Sequence, residues 1–535
     1  MPEREEVQKM SWQLIFLSSF LLILSYPPFD FGWLAWVAFV PWLAALEQAT
    51  PRQAFVRSFW VGLFFFASTI WWLVHVTAVG LILLVPYLAL FFGAWGWLVA
   101  RVQNQKSPVL SCLAAAGAWS LLEYLRSILL SGLGWNLLAH TQWHWLPIIQ
   151  IADVTGVYGV SFLVVLVNAA LHRLIRQAKS RKDFHDLPLL LLTGLCLLAT
   201  WGYGTFYFFD QARSHRVAGK AVTVAVVQGN IPQPEKWDEA FQEAIWKRYE
   251  ALTAEAVKKS PDLILWPETA VPGYLDDPAI EGRLRQFARA GGIPMFIGVP
   301  VGEVGTDRVF NSAVLLDAGG TILDRYDKIH LVPFGEFVPM EPVFGWLRKL
   351  VLMGTFSHGR RFTVFHSSSL PDFSVLICFE DIFPGLTRGF AQAGARWLVV
   401  ITNDAWFGRS AASIQHLQAS VFRAVEERMC VVRAANTGWS GVIAPSGQVL
   451  PAPHQIPRFK PGVATGPVLP ASGLTLYARW GDWFQILCLL LVGWGYNKSL
   501  SLKETDGSAG SACQTKSYET RSDPKNRRRS LPDPV

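Results

Sequence analysis

In Phe373-Ser374-Val375-Leu376-Ile377-Cys378-Phe379-Glu380 a short apolar run ends on a thiol, with a carboxylate two residues further on. A run of this length predicts a strand buried on both faces. Ala221–Val227, Leu263–Trp266, Met295–Val299 and Trp397–Ile401 have the same character. Between them, 238–259, 278–291 and 410–428 have helical composition. Strands that alternate with helices predict an α/β domain over 220–470, with its sheet covered on both faces. Open α/β sheets build their sites at the carboxyl ends of strands. Three segments at such ends carry reactive groups: Trp266-Pro267-Glu268-Thr269, Tyr326-Asp327-Lys328 and Ile377-Cys378-Phe379-Glu380.

Outward from this polar block the chain turns apolar. Mean hydropathy is +0.29, and only 16% of residues are charged, with 24 Trp and 35 Phe. Soluble domains average nearer a quarter charged residues. Eight spans are predicted, at 11–26, 31–47, 55–77, 79–100, 108–128, 156–175, 187–208 and 481–496. Several approach the ~20 residues that a helix needs to cross ~30 Å of hydrocarbon. Tyr26-Pro27-Pro28-Phe29, and no small-residue cleavage site, follows the first span, so it reads as a retained helix. The chain thus divides into an N-terminus 1–10, a seven-helix part 11–209, the α/β domain 220–470, an eighth span 481–496 and a tail 497–535. The tail is rich in Ser, Lys and Arg and is expected to be disordered and cytoplasmic.

The loops set the orientation. Arg52 and Arg57 flank the second connection, Arg101 and Lys106 the fourth, and Arg173, Arg176, Lys179, Arg181 and Lys182 crowd the sixth. The first, third and fifth connections carry no Lys or Arg. Positive-inside bias then places both termini in the cytoplasm and 220–470 outside. The net charge of +7 gathers beside the spans and in the tail, which gives no reason to expect a nucleic-acid partner. Six cysteines without CxxC or metal-ligand spacing predict neither a disulfide framework nor a metal site.

Glutamate, lysine and cysteine together can form and break a thioester. A thiol with a pKa near ~8.5 is mostly protonated at neutral pH. Glu268 can accept its proton, while the Lys328 ammonium favours the thiolate and a later oxyanion. The backbone N–H of Phe379 is a candidate second oxyanion donor. Taken alone, Cys378 reads as a buried structural cysteine, Glu268 as a surface carboxylate and Lys328 as a loop charge.

Residues 220–470 resemble the nitrilase (carbon–nitrogen hydrolase) superfamily, an αββα sandwich with a Glu-Lys-Cys triad. With its flanking spans the chain resembles the apolipoprotein N-acyltransferase family of bacterial cytoplasmic membranes. Val226-Val227-Gln228-Gly229-Asn230-Ile231-Pro232-Gln233, the stretch from His330 to Pro339 and Thr402-Asn403-Asp404-Ala405-Trp406-Phe407-Gly408 carry the likeness beside the triad. The resemblance implies Cys378 as nucleophile, Glu268 as general base and Lys328 as third member. Glu336 resembles a second carboxylate of the superfamily's site, fixing Lys328 or orienting an incoming amine. Glu380 is either functional or an anchor of the turn after Cys378. Trp237, Trp406 and Phe407 are candidates for lining an acyl pocket or contacting lipid, and Asp404 for shaping the site from beneath. The implied reaction moves an acyl chain from a membrane phospholipid, through a Cys378 thioester, to the N-terminal amine of a diacylglyceryl apolipoprotein. It needs no cofactor, and a monomer is expected. The rival readings are a membrane-tethered amidase acting on a small amide, and a non-enzymatic lipid-binding or transport protein.

The topology is open to a direct check. A membrane-impermeant thiol label on intact spheroplasts should reach a cysteine introduced at Asp277 but reach Cys513 only after lysis. The reverse pattern would invert the predicted orientation.

Overall fold

The computed structural model describes residues 2–103, 107–180, 186–213, 221–338, 345 and 356–516. Lys106, Arg181, Lys182, Pro339 and residues 517–535 of the expected tail lie outside them. The N-terminal part is helical: α1 (Pro2–Leu24), α2 (Phe39–Leu46), α3 (Pro51–Thr69), α4 (Ala78–Val102), α5 (Pro108–Ile128), the short α6 (Leu146–Ile149) and α7 (Ala152–Thr155), α8 (Val157–Ser180) and α9 (Leu187–Arg213). Among the described residues, four helical segments are long and apolar enough to cross a membrane: Ala78–Val102, Pro108–Ser131, Val157–Ala178 and Leu187–Phe209.

Two expected spans take another form. Residues 31–47 give a 3-10 turn, Gly32–Trp36, and then the eight-residue α2. Eight helical residues rise about 12 Å, well short of the ~30 Å hydrocarbon core. Pro41 lies in the first turn of α2, a position that a helix tolerates without losing a hydrogen bond. The span expected over 55–77 ends early. The helix α3, capped by a reciprocal Thr50–Gln53 pair, stops at Thr69, and Trp71–His75 fold as a separate 3-10 turn. That turn brings Trp72 inward.

The α/β part holds two sheets. The first has the order β11 (Gly462–Val468), β1 (Val222–Gln228), β2 (Leu263–Leu265), β3 (Met295–Gly302), β4 (Val309–Leu316), β5 (Ile322–Asp327). The second runs β10 (Gln455–Ile456), β9 (Ser440–Ile443), β8 (Val431–Ala435), β7 (Leu398–Thr402), β6 (Ser374–Ile377). The strands β1, β2 and β3 are parallel, as are β6, β7 and β8, and the outer pairs are antiparallel. Alternation along the strands decides the layers. Val222, Val224, Val226, Leu263, Leu265 and Phe296 enter one core with Val375, Val399 and Val432 of the second sheet. Ala225, Val227, Ile264 and Trp266 pack on the far face against α10 (Gln242–Val257) and α11 (Pro278–Gly291). The second sheet is covered by α12 (Pro384–Gln392) and α13 (Ala412–Glu427), giving the expected αββα sandwich.

The helical part closes over α13. The Arg428 guanidinium, just past that helix, donates to Asp153 Oδ2 at 2.9 and 2.8 Å, and Glu426 Oε1 accepts from the Val157 N–H at 2.8 Å. The short α14 (Leu476–Trp480) then leads into α15 (Trp483–Lys516). Residues 497–516, expected as unstructured tail, thus continue that helix. Propagation adds one hydrogen bond per residue once a helix is nucleated, and the first proline after Trp483 is Pro524.

Candidate active site

Each reactive segment follows a strand end. Glu268 lies three residues beyond β2, Lys328 directly after β5 and Cys378 directly after β6. The first sheet therefore presents the carboxylate and the ammonium, the second the thiol. Cys378 has φ +53°, a left-handed turn that an L-residue rarely adopts and that points to a functional constraint. Glycine at 298 lets β3 pass close behind Glu268, since a Cβ there would lie 2.4 Å from the Pro267 carbonyl oxygen.

Lys328, 1% exposed, sits between two buried carboxylates. Its Nζ is 2.9 Å from Glu336 Oε2 and 3.8 Å from Glu268 Oε1. Burial alone would lower its pKa, but Glu336 and Glu268 outweigh that and hold it above the ordinary lysine range. Asn311 Nδ2 bridges the carboxylates, donating to Glu268 Oε1 at 2.8 Å and Glu336 Oε1 at 3.0 Å. The Asn403 N–H donates to Glu268 Oε2 at 2.8 Å, and the Val332 N–H to Glu336 Oε2 at 2.8 Å. Glu268 is thus fixed on both oxygens, and Glu336 acts on Lys328.

The Cys378 thiol is pushed well above its ordinary range by burial and by the charge of Glu268, with Lys328 pulling the other way. A thiol in that state reacts only if a base takes its proton as the new bond forms. Lys236 is a second buried ammonium, donating to the Glu268 carbonyl oxygen at 3.0 Å. Burial lowers its pKa to about 8 against the pull of Glu268 and Cys378.

Glu380 takes the anchoring role. Its Oε2 accepts from the Ile377 N–H at 2.7 Å, while Oε1 accepts from the Tyr326 hydroxyl at 2.7 Å and from the N–H groups of Ile329 and His330 at 2.8 and 3.0 Å. One carboxylate so ties the cysteine turn to the lysine loop. Burial raises its pKa to about 7 against Lys328 and these bonds.

Behind the thiol lies a buried set of charges. His416 Nδ1 is 2.9 Å from Asp404 Oδ1, and Nε2 is 2.7 Å from Asp381 Oδ1 and 3.2 Å from the Cys378 carbonyl oxygen. Arg433 reaches Asp381 Oδ2 at 2.9 Å and Asp404 Oδ2 at 3.2 Å. Burial raises the Asp404 pKa, but Arg433 and His416 overcome it and hold the carboxyl down at about 2. Burial and Arg433 push His416 down, yet Asp381 and Asp404 carry it up to about 9. Asp404 therefore lies beneath the thiol, bound to His416 and Arg433.

Cys378, Glu268, Lys328 and Glu336 open into a common cavity. Phe379, Trp406 and Phe407 line it, as do Ile70, Trp72, Leu73, Val76, Leu84, Leu133 and Trp135 from the helical part. Trp237 is 41% exposed and outside this lining. The 3-10 turn Gln233–Glu235 aims Lys236 inward and leaves Trp237 at the surface. Sequence reasoning also passed over Asn311, Lys236, His416 and Arg433. Asn311 and Arg433 did carry a signal, each being a polar residue inside an otherwise apolar strand run. A buried charge there must find a partner.

Residues 18–170 match a family model described as the apolipoprotein N-acyltransferase N-terminal domain, and 223–470 one described as carbon-nitrogen hydrolase. The chain is 39% identical over 507 residues to an apolipoprotein N-acyltransferase of Geobacter metallireducens, covering 91% of this chain and 95% of that protein. To the protein of that name in Pseudomonas putida it is 33% identical over 498 residues, covering 88% and 94%. Among solved structures, an amidase from Nesterenkonia sp. AN1 is similar at 22% identity with a TM-score of 0.36, over 50% of this chain and 99% of that one.

The charge set behind Cys378 makes a pH-dependent prediction. Because the folded protein raises the His416 pKa from 6.5 to about 9, its contribution to stability is whole below pH 6.5 and lost as pH rises through 9. At most roughly 3 kcal/mol is at stake for such a shift. In thermal unfolding, the gap between wild type and His416→Asn should be widest near pH 6 and narrow towards pH 10. A gap independent of pH would contradict the ion-paired imidazolium.

Proposed function

We propose, on the premise that this chain belongs to the apolipoprotein N-acyltransferase family, that Cys378 carries an acyl group from a membrane phospholipid to a lipoprotein's N-terminal amine. One observation supports this reading above the others. The Glu-Lys-Cys cluster and apolar residues of the helical part, Ile70, Trp72, Leu73, Val76 and Leu84, line a single cavity. A polar reacting end with a long apolar wall suits an acyl ester, whereas a small soluble amide has no use for the wall.

The Cys378 sulfur attacks the ester carbonyl carbon as Glu268 takes the thiol proton. The Lys328 ammonium stabilises the oxyanion that forms, and the Phe379 N–H serves as a second donor. The tetrahedral intermediate collapses, the ester C–O bond breaks and Glu268 returns the proton to the departing lysophospholipid oxygen. In the second half the free α-amine of an S-diacylglyceryl cysteine attacks the thioester carbonyl carbon. Glu268 takes a proton from the nitrogen, the C–S bond breaks and the thiol is restored. Glu336 holds Lys328 through both halves, and Glu380 keeps the cysteine turn against the lysine loop.

The same reading places the protein in the bacterial cytoplasmic membrane, with 220–470 on the outer side and both termini in the cytoplasm. A lipoprotein's modified N-terminus is presented only after export, so donor and acceptor meet on the outer face. The loop charges call for the same orientation.

Release of lysophospholipid from a phospholipid donor tests the assigned roles. Cys378→Ala should abolish it, since a methyl cannot form the thioester. Glu268→Gln should slow it by the roughly 10²–10⁴-fold typical of losing a general base, and Lys328→Met should be similarly impaired. Acylation at the wild-type rate in any of the three would contradict that residue's role.

A further inference from the structure

Gln415 lies one residue before His416 on α13 and is 2% exposed. One end of its side-chain amide meets Trp72 Nε1 and Trp135 Nε1, each at 2.9 Å. An indole N–H can only donate, so that end must be the carbonyl oxygen, and the amide's orientation is settled by its neighbours. The other end, Nε2, donates to the Thr69 carbonyl oxygen at 2.9 Å and reaches that of Pro27 at 3.4 Å. A single buried amide from the α/β domain therefore joins three separate segments of the helical part.

Two of those segments form the cavity wall. Trp72 and Trp135 line it, their ring centroids 5.1 Å apart, and Phe407 packs on both at 4.6 and 5.9 Å. Trp135 also lies 5.2 Å from the His416 ring, which touches the Cys378 carbonyl. Both indoles are buried, at 5% and 4% exposure. A buried N–H that loses its acceptor is driven to find another partner or water. Without the Gln415 oxygen the Trp135 N–H loses its acceptor, while Trp72 keeps only its longer bond to the Thr69 carbonyl oxygen at 3.2 Å, so the rings have reason to leave the cavity face.

We propose that Gln415 is a specificity-determining residue. By pinning Trp72 and Trp135 it fixes the wall against which the acyl chain lies, and so sets which chain lengths reach Cys378. The inference rests on the acyl-transfer reading above. Long chains press the most methylenes on that wall, so they lose the most when it loosens.

The test uses the full-length protein in detergent, with phosphatidylglycerol carrying either hexadecanoyl or hexanoyl chains. The rate of acyl-adduct formation is followed by intact mass. In Gln415→Met the ratio of hexadecanoyl to hexanoyl rates should fall about tenfold or more, on the scale by which apolar contacts discriminate chains. A folded Gln415→Met protein with the wild-type ratio overturns the proposal. Should that variant not fold, Trp135→Phe removes the same hydrogen bond and must lower the ratio too; a wild-type value there overturns it equally. Failure of the wild type to accept either phospholipid would instead sink the acyl-transfer reading, and this inference with it.

Discussion

One buried ammonium organises the site. Lys328 is almost wholly excluded from water, and burial alone would lower its pKa. Glu336 at 2.9 Å and Glu268 at 3.8 Å keep it protonated. Both carboxylates must then be held at fixed positions, which explains the Asn311 bridge and the backbone N–H groups of Asn403 and Val332. A buried ion cluster is an expensive way to stabilise a fold. Its natural use is to set a charge beside a reacting thiol, and clusters of this kind concentrate at functional sites.

From that constraint follows the role of the sandwich. Glu268 and Lys328 come from one sheet and Cys378 from the other, so the site exists only while the two sheets stay in register. The core of Val224, Val226, Leu265, Val375, Val399 and Val432 supplies that rigidity. Glu380 adds a direct tie from the Cys378 turn to the Lys328 loop. The helical part contributes something else, an apolar wall brought to the thiol by the Trp71–His75 turn and the loop holding Trp135. Arg126 serves that loop, donating to the Leu133 and Trp135 carbonyl oxygens at 3.1 and 2.8 Å, and Glu123 Oε1 accepts from the Leu138 N–H at 2.7 Å. These two helix charges thus position backbone that leads into the cavity.

Much of this was legible in the sequence because it is local. The apolar runs at Val222–Gln228, Leu263–Leu265, Ser374–Ile377 and Leu398–Thr402 are strands, and 278–291 is a helix with the expected ends. Glu268 and Cys378 stood out because each closes such a run, and Lys328 through the resemblance of its segment to the family's triad. The strands β4, β5, β8, β9, β10 and β11 were not singled out, since short runs broken by polar residues have no strong period. Asn311 and Arg433 belong to those strands. Lys236 was missed for a related reason: neighbours in sequence can point opposite ways, and it takes the inward position beside Trp237. The membrane part misled where a hydropathy window averages over Pro41 and over the turn after Thr69. Gln415 was beyond reach, because its partners lie 280 and 343 residues away.

The central claim is that Cys378 carries the acyl chain between donor and acceptor. Wild-type protein incubated with phospholipid and no acceptor, then digested and analysed by mass spectrometry, addresses it directly. The account predicts one fatty-acyl mass on the peptide containing Cys378, removed by hydroxylamine and by a diacylglyceryl-cysteine peptide, with the acyl group recovered on that peptide's amine. An acyl group found on another residue, or an unmodified Cys378 peptide while transfer proceeds, would contradict it.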